Sequence, residues 1–449
     1  MITVKTEYCT KLPRALTVLL SVTLLFGCGG GGGGGGQRLD PGTNNPPPPP
    51  PTSTVANTSP HVTDAPYAGV LRTCTYAGDD TEACTLGTLP FLGMETIDPG
   101  IPDVMARTLV SHAWMGNNFE QVLGDLPADV LGLFRSITAV VIASDIRPAH
   151  YDPDTGAIYL DPDFLWLTVA ERNTVSDEPD PRSNFGLDLQ FQMPWRYVRN
   201  NQRLTVFLND DGSRDSGQII EIMGYLLYHE LAHAMDFMHP DRLGGLSPNL
   251  TVLQALNQQP PVSSGLDNNF PLNSNLLRDL AEVSFLGESA TAAQRDLQPA
   301  ELVDEFVNDG AVQYYSYTHQ FEDFATLFES AMMKWRFGYD KDTGITDRPA
   351  SGGTDNAIVT WGTRGRLGEQ PVAARVRYVG QQIYPGDLAE FEAFLDGEPS
   401  TPPLMREGET WLQNLLLDSA APTATAAESS GIEKATRQAD YFLERRRIR

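Results

Sequence analysis

Tyr228-His229-Glu230-Leu231-Ala232-His233 is the stretch on which the reading of this chain turns. On a helix, residues four apart share a face and lie one turn apart. His229 and His233 therefore point the same way, as two imidazoles must to hold one metal ion. Glu230 projects about 100° round from His229, beside the pair. That placement suits a carboxylate that takes a proton from a water held on the metal. Neutral imidazoles at this spacing fit zinc, whose catalytic sites use three protein ligands and keep one position open.

The flanks predict the helix. Ile219, Ile220, Ile222, Met223, Tyr225, Leu226, Leu227, Leu231, Ala234, Met235, Phe237 and Met238 surround the motif, and no Pro or Gly falls between Tyr225 and His239. A segment apolar on every side reads as a buried helix. Two His and a Glu inside such a helix need a chemical reason to be there. Asp215 or Ser216 is placed to cap it, and it stops by Pro240.

A third ligand has two candidates. His239 lies ten residues after His229. On a continuous helix it would be about 15 Å along the axis from His229, too far to share an ion. A turn-back would have to be made at Asp236, where Gly is the residue that adopts the left-handed conformation without penalty. Glu322 sits in a second stretch, Tyr314 to Trp335, where Phe321, Phe324, Ala325, Phe328, Ala331, Met332 and Trp335 repeat at three and four. That pattern predicts an amphipathic helix. Glu322 borders its apolar stripe, able to face inward near a polar site. Geometry favours Glu322 over His239.

These two stretches resemble the gluzincin metallopeptidases, in particular the lethal-factor type. His229 to Asp236 reads HELAHAMD. Glu322-Asp323-Phe324-Ala325 follows on a separate helix, with Tyr315 seven residues upstream of Glu322. The resemblance implies an α/β, zincin-like metallopeptidase domain: a mixed sheet plus active-site helix, with a mostly helical second lobe. It implies Zn2+ held by His229, His233 and Glu322, Glu230 as the base, and Tyr315 as a helper at the transition state. Tyr314 and Tyr317 compete for that helper role. Thr326 stands where lethal-factor-type sequences place a second acid. The His239 alternative would instead place the chain with the metzincins. Asp236 is a candidate acceptor for a ligand histidine's second ring nitrogen, or else a helix-end surface Asp. His319 is not expected in the ligand set, and His61, His112 and His150 show no partnering pattern.

The remainder of the chain supplies an address. Lys5, Lys11 and Arg14 precede an apolar run from Ala15 to Phe26, too short for a comfortable span, ending in Leu25-Phe26-Gly27-Cys28. This resembles a bacterial lipobox, with cleavage before Cys28 and lipid on its thiol. A Gly after the Cys resembles outer-membrane sorting. Residues 1–27 are thus expected to be a lipoprotein signal, placing the protein lipid-anchored in the bacterial cell envelope. Eight glycines, Gly29 to Gly36, and the prolines Pro46 to Pro51 make residues 28–65 a flexible then stiffer tether. Order is expected from about Pro66, a catalytic domain over 66–418, and a low-complexity, basic tail over 419–449. The chain has 449 residues and a formal charge of −26, which excludes nucleic acid as a natural partner. Of its four Cys, Cys74 and Cys84 alone lie in the mature domain and are expected to form a disulfide.

Elsewhere, Val104 to His112 and Phe119 to Phe134 read as helical. Ile137 to Ala143 and Ala157 to Leu160 read as strands, and Leu187 to Met193 as an extension of the sheet. The Ile158–Leu160 region is a candidate substrate-pairing edge, or else core. Helices are expected at 275–286 and from Pro299, then a strand and loop over 356–367 and a helix over 372–384. Arg364, Arg366, Arg375 and Arg377 form a basic cluster, expected to pair with acids at the surface rather than to bind a substrate carboxylate. The function these residues imply is a zinc-dependent metalloendopeptidase acting on peptide or protein. Two rivals are a non-catalytic, binding lipoprotein of the same fold and a zinc amidase acting on cell-wall material. A binding module has no need of Glu230; sequence does not separate the amidase from the peptidase.

Overall fold

The computed structural model describes residues 57–77, 83–351 and 353–417. The signal, Cys28, most of the tether and the tail lie outside them. The fold is mixed α/β with two sheets and many helices. The first sheet contains Ser59–Pro60 (β1), Thr108–Val110 (β2), Val140–Ile142 (β3), His150–Asp152 (β4) and Ala157–Leu160 (β5), in the order β1-β2-β3-β5-β4. Strands β2, β3 and β5 run parallel, and β1 and β4 pair antiparallel at the two edges.

Period-two alternation sends the side chains of this sheet into two cores. Val140, Ile142, Val110, Ile158 and Leu160 face one core; Val141, Leu109, Ala157 and Tyr159 face the other. Each fully buried Val, Ile or Leu contributes about 1.5–3 kcal/mol, so a sheet buried on both sides reads as the apolar run seen at Ile137–Ala143. The second face is covered by the segment around Leu71, Cys74 and Tyr76, and the Cys74–Cys84 disulfide is formed there.

The first face carries the helices. Ala113–Asp125 (α1) packs on β2, and Ser216–Phe237 (α2) lies against α1, β4 and β5. Asn275–Ala281 (α3) follows, continued by a π-turn over Glu282–Leu286. Gln320–Phe337 (α4) is the principal neighbour of α2, and Val372–Ile383 (α5) packs against both. Gly224 permits the close approach of α2 and α4. A Cβ there would come within 2.7–2.8 Å of the Phe337 ring, which outweighs the roughly 0.5–1 kcal/mol that a mid-helix Gly costs.

Several expectations are corrected. Val104–His112 is the end of a short helix, Ile101–Met105, followed by β2; parallel pairing with β3 overrides its helical pattern. Of the two readings of Ile158–Leu160, core is the one found: it is interior, flanked by β3 and β4, and the edge is β4. Strand β1 places order ahead of Pro66. The residues after α2 are rich in helix, as expected, and two strands among them join three that precede α2. Phe191–Gln192 (β6), Trp195–Arg199 (β7), Gln202–Arg203 (β8), Asp340–Asp347 (β9) and Val359–Arg364 (β10) form a second, antiparallel sheet with β9 inside. The Leu187–Met193 run joins this sheet, not the first.

The centre of the second sheet is ionic. Asp342, fully buried, takes Arg196 at 2.9 Å and Arg364 at 2.7 Å. Arg375 forms a two-bond pair with Asp323 and also donates to the Phe270 and Gly310 carbonyls. Arg366 pairs with Glu369 and reaches the Ala311 carbonyl. Three of the four expected surface arginines are therefore interior; Arg377, with Asp396, is the exposed pair.

The disulfide closes a short loop on the outer face of the first sheet. Loop-closure entropy gives it a stabilising contribution of about 3 kcal/mol. The double variant Cys74→Ser/Cys84→Ser is expected to lose about that much in denaturant unfolding while leaving metal content unchanged.

Candidate metal centre

Helix α2 positions the motif. Its residues from Met223 to Asp236 are all buried, so the two histidines and Glu230 are interior. Asp215 stands at the N-cap, but its side chain does not bond the helix N–H groups. The helix ends at Phe237, and the chain turns at Met238 into the short turn Pro240–Gly245.

That exit decides where His239 goes. Its Nε2 meets the Gln382 carbonyl at 2.8 Å, and its Nδ1 accepts from the Asp241 N–H at 3.3 Å. Both ring nitrogens are engaged away from His229. Glu322 arrives instead, from the first turn of α4, where the helix N-terminus favours a negative charge. His319 caps that helix by accepting the Phe321 N–H through Nδ1.

The three groups converge. His229 Nε2 lies 3.0 Å from His233 Nε2 and 3.1 Å from Glu322 Oε2, and His233 Nε2 lies 3.4 Å from the same oxygen. Among the described residues, this is the one cluster of three that could hold a metal ion. Tetrahedral bonds of 2.0–2.1 Å would put ligand atoms about 3.3 Å apart, close to the separations seen. The second oxygen of Glu322, Oε1, is buried with no hydrogen-bond partner among the described residues. An unpaired buried carboxylate oxygen is costly, so this carboxylate is held at the site at the expense of stability.

Protonation chemistry agrees. Burial draws the His229 imidazole down, but its bonds to Glu322 and Glu329 outweigh this and push it up to about 10. Burial opposes charge on Glu322 as well, yet the field of His233 and the bond from His229 hold it well below the usual carboxylate range. The buried carboxylates thus favour positive charge beside them, here on the His229 ring.

Glu329 was not apparent from the sequence. It is seven residues after Glu322, so it returns to the same helix face. Its Oε2 accepts from His229 Nδ1 at 2.9 Å. A carboxylate only accepts, so Nδ1 carries a proton, and Nε2 is the ring nitrogen turned to the centre, able to serve as a ligand once its own proton is displaced. Thr326 bonds Ser316 and the Asp323 carbonyl. The available signal was a Glu on the ligand face of a helix that proves buried from Glu322 through Met333, not merely along one stripe.

Asp236 is not a surface residue. It is fully buried, accepts the Ser263 N–H at 2.6 Å, and burial pushes it up to about 7 against that bond and the field of His233. Glu230 is wholly interior beside His229. Tyr314, Tyr315 and Tyr317 share the turn before α4. The Tyr314 hydroxyl bonds Ser284, that of Tyr317 bonds Asp309, and the Tyr315 ring stands edge-on to Phe285. His150 stacks on Tyr159 in the first sheet and His112 bonds Ser111, apart from this cluster.

A scan of family models and searches of curated proteins and solved structures return no match to this chain. The choice between Glu322 and His239 is measurable by metal content. Glu322→Ala is expected to lose bound metal, and His239→Ala to retain it at the wild-type level.

Proposed function

We propose that this protein is a zinc-dependent endopeptidase of the gluzincin type, held in the bacterial cell envelope. The observation that carries the reading is the convergence of His229 Nε2, His233 Nε2 and Glu322 Oε2 on one point, with a carboxylate, Glu230, adjacent on the same helix. Two imidazoles and one carboxylate are a donor set used by catalytic zinc. Bound there, the ion supplies Lewis acidity, favouring deprotonation of water and polarisation of a peptide carbonyl.

The chain's own residues do the rest. Glu230 takes the proton from the attacking water and returns it to the leaving amine. Tyr315, seven residues before Glu322 as the resemblance implies, donates its O–H to the developing oxyanion. Glu329 keeps His229 in the tautomer whose Nε2 faces inward. The substrate is a peptide or protein. Edge strand β4, which packs on α2, is where an extended chain would have free backbone groups to pair.

No helix among the described residues is long and apolar enough to cross a membrane. The proposed attachment, resting on the lipobox-like run ending in Cys28, is the lipid on that residue, which lies outside those described, with the Gly/Pro tether between anchor and domain and the outer membrane as destination.

Two measurements test this. Glu230→Gln should retain zinc and lose hydrolysis of a peptide library by roughly 100- to 10,000-fold, the usual worth of a general base; full activity in that variant contradicts the mechanism. Cys28→Ala should abolish metabolic palmitate labelling in cells; undiminished labelling removes Cys28 as the anchor.

A further inference from the structure

Behind the metal cluster lies a buried lysine that the proposed chemistry does not use. Lys341 is 6% exposed and sits on β9, the inner strand of the second sheet. Its Nζ lies 2.8 Å from Glu329 Oε1 and 2.8 Å from Gln313 Oε1, above the rings of Trp195 and Tyr197 at 4.7 and 4.9 Å. The Tyr197 hydroxyl donates to the same Glu329 oxygen. Glu329 is thus held at both ends: Oε1 by Lys341 and Tyr197, Oε2 by His229 Nδ1.

We infer that Lys341 is a positioning residue for the metal centre, setting zinc affinity from the second sheet through Glu329. The inference rests on the zinc reading above. A buried carboxylate with one partner can rotate or turn to another donor; one pinned at Oε1 has a single direction left for Oε2. That direction fixes the plane of the His229 ring and the aim of its Nε2. Outer partners of ligand histidines are typically worth 10- to 100-fold in metal affinity. The path from Glu329 to Lys341 is short in sequence because Gly338, at φ +71°, turns the chain directly from α4 into β9. Through Gln313, which immediately precedes the Tyr314–Tyr317 turn, the same ammonium ties the segment bearing Tyr315 to the His229 clamp.

Breaking one half of a buried ion pair strands the other, so a fold defect has to be separated from a site effect. The experiment is a double-mutant cycle on the mature protein, reading zinc affinity by chelator competition in wild type, Lys341→Met, Glu329→Gln and the double variant. Lys341→Arg serves as the conservative rescue. Wild type should bind one zinc, and Lys341→Met should bind it about 10- to 100-fold more weakly, with affinity largely restored in Lys341→Arg. In the Glu329→Gln background, adding Lys341→Met should change affinity little, because the lysine acts through that carboxylate. Undiminished affinity in Lys341→Met, or an equal loss in both backgrounds, overturns the inference. A wild type that binds no zinc overturns the metal reading itself, and this inference with it.

Discussion

Two imidazole nitrogens and a carboxylate oxygen, buried 3.0–3.4 Å apart, are compatible only with positive charge among them, on an imidazolium or on an ion. With Nδ1 donating to Glu329, the His229 ring turns Nε2 toward its two neighbours. That constraint organises the helical core. It requires α2 and α4 to approach closely, which Gly224 allows, and it requires α4 to bury two glutamates that would otherwise be expelled to water. The anionic first turn of α4 is anchored in turn by the Arg375–Asp323 pair on α5.

The two sheets then have different tasks. The first is an apolar slab whose inner face supports α2 and whose outer face is closed by the disulfide-bearing segment. The second is built around buried charge, with Asp342 between two arginines and Lys341 directed back at Glu329. Ion pairs of this kind add little net stability compared with apolar packing, yet removing one partner is strongly destabilising. Their value here is geometric: they fix β9 against α4, and so fix what stands behind His229.

What was legible in the sequence follows from which forces leave a periodic trace. Helix α2 was readable because its apolar residues run unbroken to Pro240 and the histidines are four apart. Strand β3 was readable because its run is β-branched, and β5 because it is short, apolar and follows the Asp152–Gly156 turn. Glu322 could be placed because α4 alternates at three and four. Glu329 went unread because a Glu in a helix ordinarily faces solvent, and nothing local says that α4 is enclosed on every side. Strand β9, Asp-Lys-Asp-Thr-Gly-Ile-Thr-Asp, carries no alternating apolar signal, since its interior contacts are salt bridges to residues far away in the chain. Strand β2 was misread because its pairing with β3 is a tertiary fact.

The most direct test of the central claim is zinc K-edge X-ray absorption on the purified, zinc-loaded protein. The account predicts a first shell of nitrogen and oxygen at about 2.0–2.1 Å, with the outer-shell scattering of two imidazoles and one carboxylate. Scattering from three imidazoles, or sulfur at about 2.3 Å, would contradict it.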